Sequence, residues 1–234
     1  MFLSLSHLFS FFLTSSLLQL PEELQADPKR LAETLNVLCS QPRFAGDPRS
    51  HKAIDYFADE LSKYGWSVER KYYWAYLPRQ TFESLEILQE NGNWQQLKLY
   101  EEGFQEDPLT LNEHVPPMHG LTGEGEAKGK VWYVGYGTKK EFEQLSRQFK
   151  SNFKGGIALM RYGAIYRGQK IANAEKFGFS GALLYTDEED DGSVRGTTLP
   201  QGPFRPNSGI QRGSVFNGNG DALTPGYAAT KNAP

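Results

Sequence analysis

Residues 156–185 read GIALMRYGAIYRGQKIANAEKFGFSGALLY, and the alternation of elements in this stretch decides the fold. Gly156 to Arg161 is a short apolar run of strand length, closed by the turn residues Tyr162 and Gly163. A helix is predicted from about Gly168 to Phe177, and a second strand from Gly181 to Tyr185. Just upstream, Lys130-Val-Trp-Tyr-Val-Gly-Tyr136 reads as a strand of the buried type. The helix after it carries Phe142, Leu145 and Phe149 on one side. Strands alternating with short helices indicate an α/β unit with parallel pairing.

Outward from this unit the texture changes. From about Pro108 the chain is rich in Pro, Gly and polar residues, including Pro116-Pro117 and the stretch Gly120 to Lys130, which marks the crossing between two modules. Before it, Asp27-Pro28 signals a helix start, with Leu31, Leu35 and Leu38 on one face. Asp47-Pro48 signals a second start, followed by a stripe of Ile54, Phe57, Ala58, Leu61 and Tyr64 and a stop at Gly65. Ser67 to Ala75 is predicted as a strand. Phe82 to Gln89 and Trp94 to Tyr100 flank Asn91-Gly92, a strong hairpin turn signal. The fold class expected is therefore α/β with an α+β admixture. Beyond Thr186 the chain is read as loop, and no repeat of solenoid period occurs.

The N-terminus is apolar from Phe2 to Leu18, with no charged residue before Glu22. A run this short resembles the core of a secretory signal rather than a full membrane span, which needs roughly 20 apolar residues. No positive n-region precedes it and no clear small-x-small site follows. The expectation is a signal peptide or anchor over residues 1–20, hence a secreted or membrane-anchored extracytoplasmic protein; an amphipathic or buried first helix is the alternative.

Composition excludes several functions. The 234 residues are 38% hydrophobic, enough for a packed core, and the net charge of −3 with scattered basic residues argues against nucleic acid as a partner. Cys39 is the only cysteine, which rules out an intrachain disulfide and a cysteine-rich zinc site. A catalytic zinc needs three or more converging ligands. The histidines His7, His51, His114 and His119 form no His-x-Asp or His-Glu-x-x-His pair, and the acidic run Glu188 to Asp191 reads as solvated surface. There is no Gly-x-Ser-x-Gly elbow and no phosphate-cradle glycine spacing followed by Lys-Ser or Lys-Thr.

Two arginines remain. Arg161 closes a predicted strand and Arg167 opens the next helix, at the carboxyl end of a strand, where α/β units tend to bind ligands. A guanidinium presents a planar fork that matches a carboxylate. On chemistry alone, each is equally readable as an intradomain ion pair or a carbonyl cap.

Several motifs in order point further: Arg43-Phe-Ala-Gly46, the run Ile157 to Ala174 with Arg161-Tyr-Gly and Tyr166-Arg-Gly, Ile210-Gln-Arg-Gly-Ser214, and Gly220-Asp-Ala-Leu-Thr-Pro-Gly-Tyr227. Together they resemble the protease-associated domain and entry segment of the glutamate carboxypeptidase II-like zinc peptidases, over roughly Asp27 to Tyr227. The resemblance implies an N-terminal segment of a zinc-exopeptidase α/β domain at 21–107, followed by an inserted protease-associated domain at 108–234. It implies a two-zinc exopeptidase, often homodimeric, whose protease-associated module covers the substrate cleft.

The resemblance also implies site residues. Arg167 matches the arginine that binds the C-terminal carboxylate of a peptide substrate, and Ser214 stands where some relatives place Asn, which bears on recognition of an acidic C-terminal residue. Thr224 and Tyr227 match positions beside a structural calcium, a hard cation that suits such oxygen donors. The family's zinc ligands and general-base glutamate come after the protease-associated module, so the catalytic core is expected outside these 234 residues. By itself the chain is then predicted to be inactive as a peptidase. The alternative is a non-catalytic, receptor-like ectodomain of the same architecture.

Overall fold

The structure, a computed structural model, describes residues 26–112, 115–150 and 152–233. The apolar segment 2–18, His7 and His114 lie outside them. The chain divides into two compact units, one ending at Ser40 and one running from Gln41 onward.

The first unit holds α1, Pro28–Leu38. Asp27 adopts an extended backbone and its carboxylate accepts the Lys29 amide at 2.9 Å, with Pro28 at a first-turn position where no amide partner is needed.

In the second unit α2 spans Ser50–Lys63, two residues later than the Asp47-Pro48 signal placed it. Asp47 is engaged locally instead: its carboxylate accepts the Arg49 amide at 2.8 Å and pairs with the Arg49 guanidinium at 2.7 Å. Only Ala58 of the α2 stripe is buried; Ile54, Phe57 and Leu61 are exposed. The strand predicted at Ser67 to Ala75 is absent, because no neighbouring strand among the described residues supplies a ladder. The segment is extended and tethered at points: Trp74 donates its amide to the Ala229 carbonyl at 2.6 Å, and Tyr76 donates to the Asp221 carboxylate at 2.6 Å.

The hairpin forms, in shorter strands than predicted. β1, Glu86–Leu88, pairs antiparallel with β2, Trp94–Gln96. Gly92 has φ +82°, a left-handed conformation that favours glycine and lets the turn close through the Gln89 amide and Asn93 carbonyl at 2.8 Å. A short helix α3, Pro108–Asn112, precedes β3, His119–Gly120.

The α/β unit read from residues 130–185 is present. β4 (Val131–Tyr133), β5 (Ile157–Arg161) and β6 (Gly181–Tyr185) form a parallel three-stranded sheet with β5 central. α4 (Lys139–Phe149) and α5 (Arg167–Lys176) connect them. α4 begins with a capping box: Thr138 Oγ1 accepts the Glu141 amide, and the Glu141 carboxylate accepts the Thr138 amide at 2.8 Å. On β5 the side chains of Ala158 and Met160 alternate into the core, joined there by Phe142, Phe153, Ala174 and Phe179. Phe142 stacks on Phe177 at 5.2 Å and Phe153 on Phe179 at 5.1 Å.

The chain read as loop beyond Thr186 contains α6, Glu188–Asp191, and β7, Gly213–Ser214. β7 pairs in parallel with β3, so His119 faces Gly213 and Gly120 faces Ser214. No helix among the described residues is long and apolar enough to cross a membrane.

Candidate functional site

The structure separates the two arginines. Arg161, at the end of β5, pairs through Nε with Asp190 at 2.6 Å and through Nη2 with Glu189 at 3.3 Å and Asp187 at 3.5 Å. Hydrogen bonding to Asp190 holds its guanidinium charge more firmly than usual. Glu189 and Asp190 of the acidic run, exposed as a solvated surface would have them, are with Asp187 the counter-ions of Arg161, while Asp191 pairs with Arg205. Arg161 is an intradomain ion pair.

Arg167 opens α5 and pairs with no carboxylate among the described residues. Its Nη1 makes a long 3.5 Å contact with the Ser214 carbonyl, and its Nε is buried without a hydrogen-bond partner. Its guanidinium carbon lies 5.8 Å from the Tyr162 ring centre and 5.9 Å from that of Tyr166. A buried donor left without a partner costs about 1–3 kcal/mol, so such a donor invites an acceptor.

Residues 210–217 form a strap across the start of α5. The Tyr166 hydroxyl lies within hydrogen-bond distance of the Ser214 carbonyl at 2.8 Å and the Phe216 carbonyl at 2.9 Å. Asn217 donates its side-chain amide to the Gly168 carbonyl at 2.9 Å. Arg212 anchors the other side: Nε donates to the Pro116 carbonyl at 3.0 Å, Nη2 donates to the Val115 carbonyl, and the same nitrogen pairs with Glu101 at 3.0 Å. Ser214 uses its Oγ to accept the Phe216 amide at 3.1 Å, and its carbonyl to meet Tyr166 and Arg167. At Gly213 a Cβ would overlap Arg167 Nη1, so only glycine leaves room for the guanidinium to lie across the strap.

Two further groups complete the surroundings, and neither was legible from sequence. His119 Nε2 stands 2.6 Å from the Tyr162 hydroxyl, which also reaches the Gln211 carbonyl at 2.8 Å. Burial lowers the His119 pKa, with the Arg167 charge acting in the same direction. Burial raises that of Tyr162, which Arg167 opposes. Lys170, one turn into α5, is fully buried; Nζ donates to the Gly163 carbonyl at 2.6 Å and to the Tyr136 carbonyl. It ties the loop before α5 to the loop after β4. A cavity of about 490 Å³ opens beside this cluster, lined in part by Lys98, Tyr100, Tyr162, Tyr185 and Gln211.

Thr224 and Tyr227 belong to the chain's last described stretch. Thr224 is buried and its Oγ1 has no hydrogen-bond partner, while Tyr227 is exposed. Asp221, the nearest carboxylate in sequence, is committed to the amides of Tyr76 and Leu223, which lower its pKa. Among the described residues, no group of three or more His, Cys, Asp or Glu could hold a metal ion.

The parallel sheet, the arginine at the start of α5 and the strap lie within residues 114–223, which the PA domain family matches. Three relatives share the likeness, two of them over more of the chain than that domain. A protein named "Probable glutamate carboxypeptidase" from Arthroderma benhamiae is 36% identical over 163 residues, which is 68% of this chain and 22% of that protein. A glutamate carboxypeptidase 2 homolog of Caenorhabditis elegans is 42% identical over 112 residues, 47% of this chain and 14% of its own length. The mouse aminopeptidase NAALADL1 is 31% identical over 214 residues, 86% of this chain and 28% of its own length. The chain belongs to the glutamate carboxypeptidase II-like family. It spans 14% to 28% of the length of these relatives.

Proposed function

We propose that this chain is the substrate-facing, N-terminal part of an extracytoplasmic zinc-dependent exopeptidase, in which Arg167 grips the C-terminal carboxylate of a peptide. One observation carries the reading: the Arg167 guanidinium is partly buried, its Nε has no partner, and no carboxylate among the described residues neutralises it. Arg161, whose guanidinium is paired with Asp187, Glu189 and Asp190, has no such vacancy for a ligand. Ser214 borders the site through its carbonyl, and its short side chain would leave space beside the substrate's last residue.

The described residues do not supply a zinc ligand set, so the two zinc ions of the family would be held by residues outside them. When bound, such ions activate water and polarise a carbonyl. The residues of this chain bind and orient: Arg167 holds the carboxylate, and the tyrosines at 162 and 166 wall it. Thr224, with its unpartnered buried hydroxyl, and Tyr227 are proposed contributors to a calcium site completed by acidic residues outside the described ones. Secretion or anchoring through residues 2–18 and a homodimeric full-length protein belong to the same reading.

Titration of the 234-residue chain with N-acetyl-dialanine, as the free acid and as the C-terminal amide, tests the grip. The acid is expected to bind more tightly, and Arg167→Leu to weaken the acid alone by about tenfold or more, the size of a charge-assisted contact. Equal binding of acid and amide, or an Arg167→Leu chain that binds the acid as the parent does, would sink the proposal.

A further inference from the structure

β3, β7 and the loop from Tyr162 to Tyr166 converge on Arg167. His119 and Gly213 are register partners across the two short strands, and Gly213 is the residue against which the guanidinium lies. The Tyr162 ring stands 5.8 Å from the same guanidinium, and its hydroxyl is 2.6 Å from His119 Nε2. One histidine therefore touches both the strand beneath Arg167 and the aromatic wall beside it.

Proton counting fixes how. The Tyr162 hydroxyl has one hydrogen and three polar neighbours: the Gln211 carbonyl at 2.8 Å, His119 Nε2, and the Arg167 guanidinium, which can only donate. A carbonyl only accepts, so the hydroxyl hydrogen goes to Gln211, and the hydroxyl oxygen accepts from His119. The imidazole must then carry its hydrogen on Nε2, a tautomer assigned from the network. The charged groups facing this pair are Arg167, from the first turn of α5, and Arg205, which acts on Tyr162. Both are cations, so the surroundings favour a neutral imidazole, as burial does.

We propose that His119 is a positioning residue for Arg167: donating from Nε2, it pins the Tyr162 hydroxyl on the Gln211 carbonyl, and the ring so fixed sets the guanidinium across Gly213. The consequence for peptide capture rests on the carboxylate reading above; the placement of the guanidinium does not.

The experiment uses the whole chain labelled with ¹⁵N at histidine and arginine. Long-range ¹H–¹⁵N spectra at pH 7.5 are expected to show His119 with its hydrogen on Nε2. The Arg167 Nε–H resonance is expected to move in His119→Leu and in Tyr162→Phe. It should stay in place in His119→Gln, whose side-chain amide keeps a donor near the Nε2 position. Should His119→Leu fail to fold, Tyr162→Phe, which removes only the hydroxyl, reads out the same link. An Nδ1-protonated His119, or an Arg167 resonance unmoved in Tyr162→Phe, would overturn the proposal. A second arm adds N-acetyl-dialanine as acid and amide: His119→Leu should weaken the acid by about fivefold, the size of one lost hydrogen bond, and His119→Gln should not. If the parent chain ignores both peptides, the carboxylate reading falls, while the resonance shifts still decide the positioning role.

Discussion

Arg161 and Arg167 are six residues apart, one at the end of β5 and one at the start of α5, and each is next to a tyrosine, yet their surroundings assign them opposite work. Arg161 spends its donors on Asp187, Glu189 and Asp190, whereas Arg167 keeps a buried Nε unpaired. Stability and binding should therefore respond in opposite ways. Arg161→Met is expected to lower the urea unfolding midpoint, since it strands three carboxylates beside one another. Arg167→Leu is expected to be neutral or slightly stabilising, because it removes a buried donor without a partner. The reverse order would contradict this division. Gly213→Ala probes the same point from the strap: the obstructed atom is the far end of a flexible side chain, so the fold should survive while Nη1 is displaced. The thermal midpoint should barely change, and calorimetry should show the acid peptide weakened by about tenfold. Residue chemistry alone left the two arginines indistinguishable, and only the family resemblance singled out Arg167, because the partners of Arg161 come from α6 and its cap, beyond β6, and nothing in local pattern reports that distance.

Among the elements, those built from contiguous signals were legible and those built from distant pairing were not. β4, α4, β5, α5 and β6 each carry their own apolar pattern, and β6 falls at the predicted residues. The Asn91-Gly92 turn likewise fixed the hairpin through a backbone requirement local to two residues. β3 and β7 are two residues each, and their pairing joins positions far apart in sequence, so no periodicity could announce them. Ser67 to Ala75 failed for the converse reason: its residues favour extension, but a strand exists only beside a partner, and the described residues offer point tethers. α4 shows how much a local signal can contribute. Thr138→Ala removes the acceptor for the Glu141 amide and one donor to the Glu141 carboxylate. A loss of about 1 kcal/mol is expected in chemical unfolding, with helix α4 amides exchanging faster with solvent. Unchanged stability would mean that the box is redundant with the packing of Phe142.

For the whole molecule, the same polar commitments set a dependence on pH whose sign can be worked out group by group. Burial raises the pKa of the Glu141 carboxyl, but hydrogen bonds from the Thr138 side chain and the Tyr136 and Thr138 amides outweigh it and leave the pKa below its ordinary 4.5. Arg49 lowers that of Asp47, and backbone amides lower that of Asp221, from an ordinary 3.8. A carboxyl with a depressed folded pKa contributes stability that is present above the unfolded value and is lost as pH falls through the folded one. His119 acts earlier. Its folded pKa lies below the ordinary 6.5, so on acidification the unfolded chain takes up that proton first. Its contribution is fully present above pH 6.5 and declines as pH drops from there toward the folded value. Urea unfolding midpoints should therefore fall in two stages: a first decline beginning near pH 6.5, and a second in the carboxylate range. His119→Gln, which keeps a donor but cannot titrate, should lose the first stage and retain the second. Should the substituted chain decline with the parent between pH 7.5 and 5.5, the sensitive group would be one other than His119, and the neutral imidazole would not be what the fold is built to hold.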